Sequence, residues 1–157
     1  MIEIKSIQLH QSEEVKHLIF AVCNEIFQVS EEVIRRFDTM FDIDDMSSHY
    51  FDNGGTFLVL MDEGRVVGSG AIRRLDNDIC ELKRMWFLKE YRGRGLAKKM
   101  VQLLLDFARK TGYKKVRLDL LDEQKQTQAL EFYKRMGFYV IAPYNHSFCT
   151  VFMEKVL

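Results

Sequence analysis

Proline is almost absent from this chain: Pro143 is the single one among 157 residues. That excludes a proline-rich linker, and no other composition shift marks a boundary, so one domain over residues 1–157 is expected. Cysteine is also scarce. Cys23, Cys80 and Cys149 are odd in number, widely spaced and set in apolar neighbourhoods, which argues against a disulfide framework or a CxxC pair and points to reduced thiols in a cytoplasmic protein. Neither sign of charge is in excess, with 23 basic and 23 acidic side chains. Nucleic acid and anionic membrane are therefore not expected as partners, and any anion site must be local. No apolar run approaches the roughly 18 residues of a membrane span. The start, MIEIKSIQLHQSEE, lacks the basic and apolar regions of a signal peptide. His10, His17, His49 and His146 are scattered without metal-ligand spacing, so no metal is expected.

What is present is an ordinary globular balance, 47% hydrophobic and 29% charged, in a chain long enough to bury a core without staples. Alternation over residues 2–9 predicts a strand. Ser12 is a candidate N-cap for an amphipathic helix to about Gln28, and Ser30 for a second helix carrying Val33, Ile34 and Phe37 on one face. The segment DIDDMSSHYFDNGG has loop composition, and its acidic residues are candidates for a rim that attracts a cation. TFLVLM and RVVGSGAI flank Asp62-Glu63-Gly64 as a hairpin, and ICELKRMWFL, residues 79–88, extends the meander. Ala97, Met100, Val101, Leu104, Leu105 and Ala108 fall at helical spacing up to Gly112. KVRLDL reads as a strand, Ala129, Phe132, Tyr133 and Met136 as one side of a last helix, and residues 138–141 and 148–155 as closing strands.

The expected fold class is thus α/β, a mixed and mostly antiparallel sheet flanked by helices. Only the crossover from ICELKRMWFL to KVRLDL has the length of a parallel βαβ unit. The final strand, if exposed, could pair with a second subunit, which leaves a homodimer open.

The stretch EYRGRGLAKKM, residues 90–100, lies at the carboxyl end of the crossover's first strand, where open sheets tend to place ligands. A helix N-terminus offers unpaired N–H groups and partial positive charge to a phosphate, and glycines there permit positive φ and close approach. A bare turn with two solvated arginines is the bland alternative. A dinucleotide fingerprint requires a small residue where Lys98 stands, and a P-loop requires a Gly-Lys-Ser/Thr that is missing. Arg92, Gly95 and Ala97 fit a third pattern, [Arg or Gln]-x-x-Gly-x-[Gly or Ala].

With that motif the chain resembles the GNAT superfamily, the GCN5-related N-acetyltransferases. The likeness extends over ELKRMWFLKEYRGRGLAKKMVQLLLDFA, over ALEFYKRMGF and over the preceding hairpin. It departs where Leu88-Lys89-Glu90 lacks the usual proline, and in the N-terminal third, which varies in the family. The resemblance implies an N-acetyltransferase that uses acetyl-coenzyme A, without metal, on a small-molecule or peptide amine by direct attack in a ternary complex. A non-catalytic acyl-coenzyme A binding module of the same fold is the alternative. It also implies that Arg92, Gly93, Arg94, Gly95, Leu96, Ala97 and Lys98 hold the pyrophosphate. The backbone of Met85, Trp86 and Phe87 would pair with the pantetheine, with one N–H polarising the acetyl carbonyl.

Two side chains are implied in the chemistry. Glu81 would be the base, and an ion pair with Lys83 or Arg73 is its structural alternative. Tyr133 would be the acid that protonates the leaving thiolate, and ordinary core packing is the alternative there.

Overall fold

The computed structural model describes all residues 1–157. Seven strands form one sheet: β1 Ile2–Ser6, β2 Thr56–Asp62, β3 Arg65–Arg74, β4 Ile79–Phe87, β5 Lys115–Leu120, β6 Tyr139–Ile141 and β7 Val151–Val156. Their order across the sheet is β1-β2-β3-β4-β5-β7-β6. Every neighbouring pair is antiparallel except β4 and β5. The mixed sheet and the single parallel crossover therefore match the sequence expectation. The β2–β3 turn is Glu63-Gly64 with positive φ at both residues, a type I′ geometry whose twist suits a hairpin.

The sheet is buried on both faces. Neighbouring residues of one strand serve opposite cores: Val59 joins the N-terminal side and Leu60 the other. Helix α4, Leu96–Thr111, lays Met100, Val101, Leu104, Leu105 and Ala108 on one face, together with α5, Thr127–Arg135. Leu104 is fully buried, so truncation to alanine is expected to cost about 2–5 kcal/mol. The opposite face is covered by α1 Ser12–Phe27, α2 Glu31–Phe37 and α3 Phe41–Asp44.

Several boundaries differ from the expectation. Strand β1 ends at Ser6 and leads into a 3-10 turn, Leu9–Gln11, so Ser12 begins α1 rather than capping it. Ser30 does cap α2, its hydroxyl accepting from the Val33 N–H at 3.3 Å. The acidic segment read as loop contains α3 and a π-helical turn, Ser47–Phe51. Buried Ile43 and Tyr50 anchor these short elements, and tertiary packing overrides their loop composition. Residues 148–150 are loop rather than strand. Strand β7 lies between β5 and β6, with β6 pairing Phe152–Glu154, so it is an interior strand and β6 is the edge of the sheet.

Candidate active site

Strands β4 and β5 pair only through Ile79, Cys80 and Glu81 with Lys115, Val116 and Arg117. Beyond Glu81 both strands continue unpaired with one another, β4 to Phe87 and β5 to Leu120. The sheet thus opens into a wedge. The edge of Leu82–Phe87 that faces β5 has no ladder partner, and an extended ligand carrying amides could supply one.

A bulge sharpens the opening. The β3–β4 register shifts between Ser69 and Ala71, and Arg84 adopts φ +57° in the middle of its strand. Such a conformation is uncommon outside glycine and persists only where the surroundings enforce it. Here Ser69 Oγ donates to the Arg84 carbonyl at 2.6 Å. The guanidinium donates to Asp38 at 2.5 and 3.0 Å and to Asp42 at 3.0 and 2.7 Å. Gly70 lies opposite, where an added Cβ would come within 2.5 Å of the Met85 sulfur. Burial alone would raise the pKa of Asp38 and Asp42, but the Arg84 hydrogen bonds and charge outweigh it and hold both below the ordinary carboxylate range.

Two cavities meet at this wedge. One, about 1120 Å³, runs along the start of α4 and the face of α5. Of the loop residues singled out in the sequence, Arg92, Gly93, Gly95, Ala97 and Lys98 line it, whereas Arg94 and Leu96 do not. Gly93 and Gly95 have φ +72° and +77°, and a Cβ at either would meet nothing within 4 Å. Their requirement is conformational, and the space beside them is free for a ligand. The first intrahelical bond of α4 runs from the Lys99 N–H to the Gly95 carbonyl at 3.1 Å, which leaves the preceding N–H groups without helical partners. The Arg92 guanidinium donates to Glu25 at 2.5 and 3.2 Å and to the Phe87 carbonyl at 2.9 Å, tying the loop to α1. Arg94 lies over the Tyr91 ring at 5.4 Å and donates to the Glu90 carbonyl at 3.3 Å. Leu96, the first residue of α4, is partly buried and packs against the core.

The second cavity, about 750 Å³ and mainly apolar, lies between α2, the open ends of β4 and β5, and the loop before β7. Met85, Trp86, Gln126, Ala129 and Tyr133 line both cavities and form their junction. Phe87 lines only the first. Tyr133 stacks edge-on between Phe132 and Phe138, at 5.1 and 5.5 Å. Burial pushes its phenol above the ordinary value, so the hydroxyl remains protonated through neutral pH.

Glu81 is placed differently. It lines neither cavity and is almost fully buried at the closed end of the wedge. Its carboxylate faces Arg73 at 3.2 Å and Lys83 at 3.6 Å and accepts from the Tyr144 hydroxyl at 2.6 Å. Both expected ion-pair partners are therefore present, joined by a tyrosine that the sequence reading did not single out. Through Tyr144, Glu81 fastens the loop that walls the apolar cavity. The acidic residues of the N-terminal third, for which a solvated loop is the default reading and a cation-attracting rim the alternative, are engaged within the fold. Asp42 holds Arg84, Asp44 bonds to Lys16, and Asp45 accepts from the Ser48 N–H.

The family model of the Acetyltransferase (GNAT) family matches residues 20–138. The chain belongs to the GNAT acetyltransferase family. It is 36% identical over 122 residues to the uncharacterized N-acetyltransferase YjgM of Escherichia coli, covering 73% of this chain and 72% of that protein. Human N-acetyltransferase 8B is 33% identical over 103 residues, which are 62% of this chain and 44% of the human protein. Among solved structures, a GNAT acetyltransferase from Staphylococcus aureus superposes with a TM-score of 0.84 at 22% identity, covering 99% of each chain. The PaiA N-acetyltransferase of Thermoplasma acidophilum, solved with coenzyme A, gives 0.80 at 20% identity, covering 100% of this chain and 99% of that one.

Some of this acetyltransferase's site was not singled out in the sequence. Arg84 belonged to an apparently regular strand, and the only hint of its bulge was the Gly68-Ser69-Gly70 triplet on the partner strand. Asp119 appeared as one polar position of KVRLDL, and only the parting of β4 from β5 brings it to a cavity wall.

Proposed function

We propose that the chain transfers the acetyl group of acetyl-coenzyme A to a primary amine by direct attack within a ternary complex. The observation that carries this reading is the junction of two cavities at Met85, Trp86 and Tyr133, one leading to the glycine loop and the other to an apolar chamber.

The residues present fit the cofactor. The N–H groups at the start of α4 would hold the pyrophosphate, with open space at Gly93 and Gly95. Lys98 is exposed beside them. The unpaired edge of Met85, Trp86 and Phe87 would accept the pantetheine as an added strand, and one of its N–H groups would face the carbonyl oxygen. When bound, acetyl-coenzyme A supplies a thioester open to attack by the amine nitrogen. Tyr133 holds a proton on its hydroxyl for the departing sulfur. Glu81 supports the site by fixing Tyr144 and the loop that carries it. A base role for its carboxylate would run through the adjacent Lys83 or Tyr144 rather than through direct contact with the acceptor.

Calorimetry tests the donor half of this reading. Acetyl-coenzyme A is expected to bind, NAD and ATP are not, and Gly95→Ala is expected to weaken binding at least tenfold because φ +77° strains any Cβ-bearing residue. Binding of NAD without binding of acetyl-coenzyme A would contradict it.

A further inference from the structure

The apolar cavity carries information about the acceptor. Its charged lining residues are Asp38, Lys83, Arg84 and Asp119, and three of the four are committed elsewhere. Arg84 gives its N–H groups to Asp38 and Asp42, which also balances Asp38. Lys83 lies 3.6 Å from Glu81. Asp119 has no cation among its partners. Its Oδ2 accepts from the Asn145 amide at 3.0 Å, and a neutral neighbour, the Cys149 thiol, is raised to about 11 by burial. Asp119 is half-buried in the cavity wall and has no ion-pair partner, so its carboxylate is free to pair with an ammonium that a ligand brings. The rest of the wall is aromatic and aliphatic. Trp86 and Tyr133 stand at the junction, and Phe37 and Phe148 meet edge-on at 5.0 Å although both are largely exposed to solvent. Exposed aromatic rings beside a cavity gain by covering an apolar body.

We propose that the acceptor is a primary amine on an apolar aryl or alkyl body, its ammonium docking on Asp119 and its body filling the chamber between α2 and the loop of residues 142–150. This rests on the acetyl-transfer reading above and names the acceptor class for it. A free arylalkylamine, an apolar amino acid and a peptide with an apolar N-terminal residue share this chemistry.

The test is release of coenzyme A thiol from acetyl-coenzyme A with a panel of amines. Phenethylamine, hexylamine, leucinamide and a phenylalanine-headed tripeptide form the apolar arms and distinguish the three sources. Spermidine, glycinamide and a lysine-containing peptide with a blocked N-terminus form the polar arms. At least one apolar arm is expected to exceed every polar arm tenfold or more in kcat/KM, with about a fourfold gain for each methylene added to an alkylamine. Turnover equal or better on a polar arm would overturn this inference and leave acetyl transfer standing. Turnover of no amine at all would overturn both.

Asp119→Asn is expected to raise the amine KM at least tenfold with the acetyl-coenzyme A KM unchanged. Asn145→Ala, which keeps the carboxylate but breaks its bond to the loop, is expected to cost less. Equal losses in the two variants would mean that Asp119 only fastens the loop, and the assignment would fall.

Discussion

Among the side chains at the junction of the two cavities, Tyr133 alone carries an ionisable hydroxyl. Burial raises its pKa, so the hydroxyl carries its proton at neutral pH and has one to give when a thiolate departs. Tyr133→Phe keeps the ring packing with Phe132 and Phe138, so kcat is expected to fall about 100-fold with acetyl-coenzyme A affinity unchanged. Stopped-flow thiol release together with calorimetry checks both halves. Glu81 makes the opposite case. Its carboxylate is held by Arg73, Lys83 and Tyr144, so Glu81→Gln is expected to lower stability by roughly 2 kcal/mol. The ascending limb of the kcat/KM pH profile should remain in place. A profile that flattens in Glu81→Gln would restore the carboxylate as the base. The sequence made both residues visible as candidates, one in a strand and one on a helix stripe. It could not separate them, because the difference lies in whether the side chain reaches a cavity wall, as Tyr133 does and Glu81 does not.

At the scale of elements, the bulge in β4 and the short helix α2 form one device. Asp38, at the C-terminal end of α2, and Asp42, in α3, are bound to the largely covered guanidinium of Arg84, whose backbone is strained. Because both carboxylates have folded-state pKa values below their ordinary range, the stability they contribute is present above about pH 4. It is lost as the pH falls towards the depressed values. Urea midpoints measured from pH 6 to pH 2 are expected to drop steeply below pH 4 in the wild type and less steeply in Asp42→Asn. Periodicity and turn residues made the hairpin, the β4-α4-β5 crossover and α5 legible, since each is long or sharply punctuated. They failed at α3, the π-helical turn and residues 148–150. Those segments are too short to carry a period, and in the π-helical turn a buried contact, Tyr50 on Phe57, holds the chain in place.

For the molecule as a whole, the sheet accounts for the division of labour. On one face, α4 and α5 bring the glycine loop and Tyr133 to the wedge. On the other, α1 and α2 close the chamber opposite the loop of residues 142–150. The wedge joins the faces because β4 and β5 cease to pair after Glu81. The sequence located the crossover that bears the loop, but the parting of two adjacent strands leaves no mark in hydrophobic pattern. Pairing of the final strand with a second subunit is conditional on its exposure, and the observed order places β7 between β5 and β6. The most direct test of the account is incubation of the purified protein with acetyl-coenzyme A and the amine panel, reading thiol release and product mass together. An N-acetylated amine is expected to form in step with thiol, at a rate that falls about 100-fold in Tyr133→Phe. Tight binding of acetyl-coenzyme A with no acetylated amine from any member of the panel would contradict it and favour a binding module.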